Sequence, residues 1–332
     1  MEAALHVGQL LQPVPGGIGR YVRRLIDALP AAGVDVHGFA AGAPAPFVDL
    51  GWPHGSLRYE LWHRFRWPTV RVPGDVVHAT SLAVPPPGRR PLVVTVHDIV
   101  FVHQPEVLTA RGVAFHRRGL EIARREAAAI VVPTEFGKRD LVEHGFDERR
   151  IHVAYHGVDP DDGAGTLERE PFILFVGTIE PKKGVDDLLR AFARMRLDRP
   201  ELRLVLAGQR GWGELPDLEQ PGVVELGNVD EARLATLYRT ASVLALPSRY
   251  EGFGLPVMEA MAHGCPVVVS DAACLPEVVG DAGAVVPVGD VDALTAALAS
   301  PPDGEPGRAR AREFTWARSA EAHRKAYEAA LG

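Results

Sequence analysis

Two glutamates, two lysines and a run of glycines are the residues of this chain best suited to handling an anion. The glutamates lie in Leu246–Ser270, LPSRYEGFGLPVMEAMAHGCPVVVS, where Glu251 precedes a Gly-rich turn and Glu259 follows it. An apolar run, SVLALP, ends at this turn, and Pro256 falls where a helix would begin, a position at which proline costs a helix nothing. The backbone N–H groups of Gly252, Phe253, Gly254 and Leu255 would then face outward at a helix N-terminus, which suits a phosphate. Taken singly, Glu259 reads as a charge favourable to the helix dipole, and Glu251 as a solvated loop residue. Strand, Gly-rich loop, helix and two carboxylates in series point instead to a binding site. The lysines are Lys182 and Lys183, in FVGTIEPKKG from Phe175 to Gly184. A strand running into Gly177 would present them in a short turn, where cations stabilise charge developing on an anionic leaving group. Alone they read as two solvated turn lysines.

Two segments of the first half carry further candidates. In PLVVTVHDIVFVHQPE, His97 stands where a strand runs out into a loop, the usual place for functional residues in a parallel sheet. A single histidine there is more often structural, Asp98 reads as a residue that orients the loop, and His103 receives no role. PVPGGIGRYVRRL places Gly16, Gly17 and Gly19 ahead of a helix. A dinucleotide site wants G-x-G-x-x-G directly after the first strand and an acid closing the second. Here the series is G-x-G-x-x-V (Gly17, Gly19, Val22), LQPVP intervenes, and Asp35 opens the second strand, all of which argues against NAD.

These residues need strands to carry them, and the chain supplies short β-branched runs alternating with amphipathic stretches, the pattern of βα units around parallel sheets. ALHVGQL, VDVHGFA, DVVHAT, PLVVTVHD, AAIVVP and RIHVAYHG are the candidates in the first half. PFILFVGT, LRLVLAG, VVELGN, SVLALP, PVVVSD and GAVVPV follow in the second, continuously apolar as buried parallel strands are. Helices are predicted from Gly19 to Leu29, Arg111 to Ala128, Glu135 to His144 and Thr315 to Leu331. The acidic stretch from Gly157 to Glu170 lacks apolar period and reads as a linker. The predicted fold is α/β with two doubly wound, Rossmann-like domains, residues 1–158 and 159–332, the last helix (about 315–331) being free to pack back on the first.

With those residues in place, the chain resembles the retaining glycosyltransferases of family four, which have the GT-B fold, and within them the mannosyltransferase-like members. The resemblance rests on the glutamate pair separated by seven residues, on GTIEPKKG and on HDIVFVHQPE, and it covers nearly the whole chain. It implies two domains facing a central cleft, with the acceptor on the first and a nucleotide-sugar donor on the second. It further implies that Glu259 grips the donor ribose and that Glu251 lies near the transferred sugar. Gly252, Phe253, Gly254 and Leu255 would then contact sugar and diphosphate, and Lys182 and Lys183 the diphosphate. Gly16 and Gly17 are implied to lie against the donor phosphates, and Asn228 and Val229 near the base. His97 is implied to position the donor sugar or the acceptor, so the catalytic set is His97, Glu251 and Lys183. Many members carry arginine after the first glycine of the lysine motif; this chain has Thr178, which shifts the phosphate clamp toward the lysines. The implied reaction retains anomeric configuration and needs no metal and no cofactor. GDP-mannose is the first expectation for the donor, and a glycan, lipid-linked or small-molecule acceptor fits polysaccharide biosynthesis.

Bulk properties agree with such an enzyme. Hydrophobic residues make up 46% and charged residues 24% of 332 positions, a normal soluble balance and enough chain for two cores. Residues 1–150 hold 18 basic against 15 acidic side chains and the remainder 18 against 28, so no domain has the basic excess of a nucleic-acid binder. The mild basic bias of the first half leaves peripheral contact with an anionic membrane open. LRYELWHRFRWP, Leu57 to Pro68, could be membrane- or acceptor-facing, although a helix packing its aromatics inward is the commoner outcome. Cys265 and Cys274 read as reduced core thiols. With no basic n-region at the start, the expected location is cytoplasmic. The histidines show no ligand spacing, and no metal site is read. A non-catalytic nucleotide-sugar or glycan binder and a GT-B epimerase are the remaining alternatives.

Overall fold

The computed structural model describes residues 1–161, 168–211, 213 and 215–332. They divide into two compact units, Met1–Gly157 with Trp316–Gly332, and Val158–Thr315. The predicted linker, 157–170, lies partly outside the described residues.

In the N-terminal unit the strands are β1 (Glu2–His6), β2 (Asp35–Ala40), β3 (Val48–Asp49), β4 (Val76–Ala79), β5 (Leu92–Thr95), β6 (Ala127–Val132) and β7 (Ile151–Val153). They form one sheet in the order β3-β2-β1-β4-β5-β6-β7, parallel throughout. The order reverses between β1 and β4, so the carboxyl ends of those strands flank a switch point. Successive residues alternate between faces. Val76, Val93, Ala129 and Val131 join one cluster, and Val77, Val94, Ile130 and Val132 the other. Helices α1 (Gly16–Ala28), α2 (Gly55–Phe65), α3 (Val100–His103), α4 (Ala110–Glu126) and α5 (Glu135–Glu143) connect them. Thr109 and Thr134 cap α4 and α5 by accepting from the N–H groups of Gly112 and Gly137.

The C-terminal unit repeats the scheme. Strands β8 (Glu170–Val176), β9 (Arg203–Ala207), β10 (Val223–Gly227), β11 (Ala241–Leu246), β12 (Val267–Ser270) and β13 (Ala284–Val286) run parallel in the order β10-β9-β8-β11-β12-β13. Its switch point lies between β8 and β11, which pair directly. The helices are α6 (Val185–Met195), α7 (Glu231–Thr240), α8 (Leu255–Ala262), α9 (Leu275–Val279), α10 (Val291–Ala299) and α11 (Glu305–Ala311). The last helix, α12 (Trp316–Leu331), belongs to the N-terminal unit, where Ala320, Ala326 and Tyr327 are fully buried against the face that carries Tyr21 and Leu25.

Three local expectations change. Helix α1 begins at Gly16 rather than Gly19, so Gly16 and Gly17 form its first turn, with Gly16 at φ 62°. A short edge strand, β3, had no readable signal because both of its residues are exposed. The aromatics of 57–68 do not all pack inward. Trp62 is fully buried, but Phe65 and Trp67 are exposed, because Arg66 takes a left-handed φ of 51° and ends α2 there. Among the described residues no helix is long and apolar enough to cross a membrane.

Candidate active site

The switch point of the C-terminal unit explains how residues 68 positions apart come together. The lysine motif leaves the end of β8 and the glutamate motif leaves the end of β11, and these strands are neighbours. Lys183 Nζ donates to Glu251 Oε1 at 2.7 Å, and Ser248 Oγ lies 2.7 Å from the same oxygen. The Glu251 main-chain carbonyl accepts from Cys274 Sγ at 3.2 Å. Burial alone would raise the Glu251 carboxyl, but Lys183 and Lys182 outweigh it and hold it below its ordinary range. The result is an ionised, buried carboxylate with a fixed ammonium partner. Lys182 Nζ sits 3.4 Å from the buried Glu180.

The turn between the lysines and α6 is built tightly. Gly184 has φ 66°, and a Cβ there would stand 2.1 Å from the Pro247 carbonyl oxygen. Only glycine fits both demands. Gly184→Ala should lower the stability of this unit by about 3 kcal/mol, the sum of left-handed strain and backbone displacement. Urea unfolding followed by circular dichroism would measure it. An unshifted midpoint would mean that the turn relaxes freely.

Arg249 joins the two motifs, and sequence reasoning missed it. Its N–H donates to the Lys182 carbonyl at 2.7 Å, and its guanidinium holds the Pro181 carbonyl, both oxygens of Asp186 and the buried Asp187 at 2.9–3.1 Å. A planar fork can satisfy that many acceptors at fixed geometry, where lysine could not.

Glu259 is the fifth residue of α8 and is buried, not a surface charge on the dipole. Its Oε2 accepts from Tyr238 Oη on α7 at 2.8 Å, a second partner the sequence did not reveal. Gly252, Phe253 and Gly254 form the loop entering α8, Leu255 is its first residue, and Gly254 is its left-handed cap. Phe253 packs edge-on against Phe314 at 6.1 Å. Thr178 is half-buried just beyond β8, while Asn228, exposed, and Val229, half-buried, follow β10 at the same carboxyl edge of the sheet. Among the described residues no hydrogen bond joins them to the glutamates.

In the N-terminal unit His97 lies just past β5. Its Nε2 is 2.9 Å from the Thr80 carbonyl, which can only accept, so Nε2 carries the hydrogen and Nδ1 the lone pair in the neutral ring. Burial lowers its pKa against the opposing pull of the Thr80 carbonyl and Asp98. Asp98 accepts from the Val100 N–H at 3.1 Å, which fixes the loop.

Behind His97 runs a wire whose proton positions follow from one end. His323 Nδ1 meets the Ser319 carbonyl at 2.7 Å and must donate, so Nε2 accepts from Tyr21 Oη at 2.8 Å. Tyr21 then accepts from Thr95, Thr95 accepts from His78 Nε2, and His78 Nδ1 accepts from Tyr327, each step 2.8 Å. The Tyr21 ring packs edge-on to His97 at 4.9 Å. Helix α12 thus supplies part of the support of the His97 region, which its sequence does not announce.

The histidines were read as lacking ligand spacing. In the fold His103, Asp140 and His144 offer ligand atoms within 4.8 Å of one another. Asp140 and His144 are four apart on a helix, a spacing that was readable, but the third member lies 37 residues earlier. Cys265 and Cys274 are both buried and unpaired with each other.

The chain matches the family model described as Glycosyltransferase Family 4 over residues 15–162 and that described as Glycosyl transferases group 1 over residues 170–300. It is 30% identical over 354 residues to the O-antigen chain mannosyltransferase B of Escherichia coli, covering 90% of this chain and 92% of that protein. It is 34% identical over 273 residues to an MMP alpha-(1->4)-mannosyltransferase of Mycolicibacterium hassiacum, covering 73% and 66%. Among solved structures, sucrose-phosphate synthase from Thermosynechococcus elongatus superposes with a TM-score of 0.74 at 21% identity, covering 99% of this chain and 98% of that one. Anabaena HepE in complex with UDP and glucose gives 0.71 at 20% identity, covering 98% of each. Two parallel-sheet units, these GT-B neighbours and both family models agree: the chain belongs to the family-four glycosyltransferases.

Proposed function

We propose that this glycosyltransferase moves mannose from GDP-mannose to a glycan, lipid-linked or small-molecule acceptor, with retention of anomeric configuration. The observation that carries the reading is the set at the C-terminal switch point, where Lys183 and Glu251 are paired and Glu259 stands buried behind a glycine-bearing helix start. Mannose is supported by the two mannosyltransferase relatives at 30% and 34% identity. In this reading Glu259, held by Tyr238, accepts hydrogen bonds from the ribose hydroxyls. The amides entering α8 and the two lysines receive the diphosphate, supplying without a metal the positive charge that stabilises the negative charge developing on the leaving group. The N-terminal unit, on the cytoplasmic side, takes the acceptor, with Gly16, Gly17 and His97 serving the same reaction. The bond between sugar and diphosphate breaks as the acceptor oxygen attacks from the same face, and the departing phosphate takes the acceptor proton. Peripheral contact with an anionic membrane belongs to the proposal and is supported by exposed Trp52, Phe65 and Trp67.

A thermal-shift panel of GDP, UDP, dTDP, NAD and NADP tests it. Ligand at a hundredfold excess over its dissociation constant stabilises by about 2.7 kcal/mol, a visible shift. GDP should stand out, and Glu259→Ala should weaken it roughly ten- to a hundredfold, the worth of one or two charge-assisted hydrogen bonds. A response to UDP alone would replace the donor, and no response to any diphosphate would remove the site.

A further inference from the structure

We propose that His103, Asp140 and His144 form a site for one divalent transition-metal ion of the zinc class, separate from the glycosyl-transfer site. His103 closes α3, and Asp140 and His144 lie one turn apart at the end of α5, side by side on one face. Asp140 is buried while the two imidazoles are about one-third exposed, so a fixed carboxylate faces two adjustable ring ligands. His103 Nε2 stands 2.8 and 3.0 Å from the two Asp140 oxygens, and His144 Nδ1 3.3 Å from the first of them. Ligand atoms on a tetrahedral zinc, with bonds of about 2.0–2.1 Å, are roughly 3.3 Å apart, so the separation of His103 from Asp140 needs only a small change, and one ligand atom from each of the three residues lies within 4.8 Å of the others. The rings meet at 90° with centroids 5.2 Å apart, and neither blocks the other's approach to a common ion.

An ordinary ion pair accounts for one histidine on Asp140, not for two converging on it. His144 Nδ1 also lies 2.7 Å from the Asp140 main-chain carbonyl, the one-turn contact that His116, His263 and His323 make on their own helices. The carbonyl can only accept, so Nδ1 carries the hydrogen there, and the lone pair that would meet a metal is on Nε2. Two imidazoles and one carboxylate select zinc, cobalt, nickel or copper over magnesium or calcium, which prefer all-oxygen sets. An ion here would tie His103 of α3, six residues beyond His97, to α5, and so stabilise the N-terminal unit.

The test is calorimetric titration of Zn2+ into the chelator-treated full chain, with Co2+ visible absorption as a second readout. One equivalent should bind, with an intense tetrahedral cobalt spectrum, and Mg2+ should give no heat. His103→Gln and His144→Gln should each weaken Zn2+ at least tenfold while their metal-free melting temperatures stay near that of the parent. Absence of stoichiometric Zn2+ binding, or an affinity in both variants equal to the parent's, would overturn the site. A weak octahedral cobalt spectrum would do so even if a variant failed to fold.

Discussion

Lys183→Ala is expected to cut turnover by about 10²–10³ and at the same time to weaken the C-terminal unit by about 2–3 kcal/mol. The first effect is the usual cost of deleting one preorganised charge stabiliser at a leaving group. The second has a different origin. Glu251 is buried, and Lys183 is the nearest cation to its carboxylate, at 2.7 Å. Removing the lysine leaves an uncompensated buried charge, which typically costs 3–5 kcal/mol. Ser248 at 2.7 Å and the field of Lys182 still partly compensate it and bring the loss below that range, to about 2–3 kcal/mol. The two effects separate in a double variant. Lys183→Ala with Glu251→Gln removes the stranded charge, so the urea midpoint should recover most of the way while turnover stays low. Donor hydrolysis, read as nucleoside diphosphate release, gives the rate without knowledge of the acceptor. Parent-like turnover in the folded single variant would take Lys183 out of the chemistry. A midpoint that does not recover would mean that the pair is not what holds Glu251.

The pairing behind that prediction was half legible. The apolar runs PFILFVGT and SVLALP identified β8 and β11, and Gly-rich turns after each marked where side chains emerge. Their adjacency at a switch point follows from strand order, a property of the sheet and not of either segment. Arg249 shows the limit. In LPSRYEG it reads as a solvated loop charge, because its acceptors belong to α6 and to the lysine turn. Tyr238 was hidden for the same reason, as its partner Glu259 lies on a different helix. Periodicity reports which face of an element is apolar; it carries no information on which polar groups meet across elements. The histidines illustrate this most fully. Four of them, His78, His97, His156 and His323, come together around Tyr21 in the N-terminal unit although they lie between positions 78 and 323 of the sequence.

Buried histidines are expected to make the N-terminal unit acid-labile. Burial, with neighbouring charges reinforcing it, holds His6, His63 and His323 at about 4 against an ordinary 6.5. Burial pushes His78 and His156 well below the usual range. Between pH 6.5 and 4 the unfolded chain binds protons that the folded unit refuses, so stability rises with pH across that window. It is complete above 6.5 and falls as pH drops toward 4, by about 3 kcal/mol for each group displaced to 4. Three such groups reach the scale of a domain's whole stability, about 5–15 kcal/mol. The N-terminal unit should therefore unfold near pH 5, before its carboxylates titrate. The C-terminal unit behaves otherwise at Glu251, whose lowered pKa gives stability above 4.5 that is lost only below that value. Fluorescence of Trp62, buried 5.3 Å from His6, reads the first transition. His6 offers a direct check, because neither ring nitrogen has a hydrogen-bond partner among the described residues and its neighbours include Phe39, Tyr59 and Trp62. Replacing it by phenylalanine removes one refused proton at no loss of hydrogen bonding, so His6→Phe should move the acid midpoint down while leaving neutral-pH stability close to the parent's. A midpoint unmoved by His6→Phe, or a parent that keeps its Trp62 signal to pH 4, would show that the folded unit takes up these protons without opening.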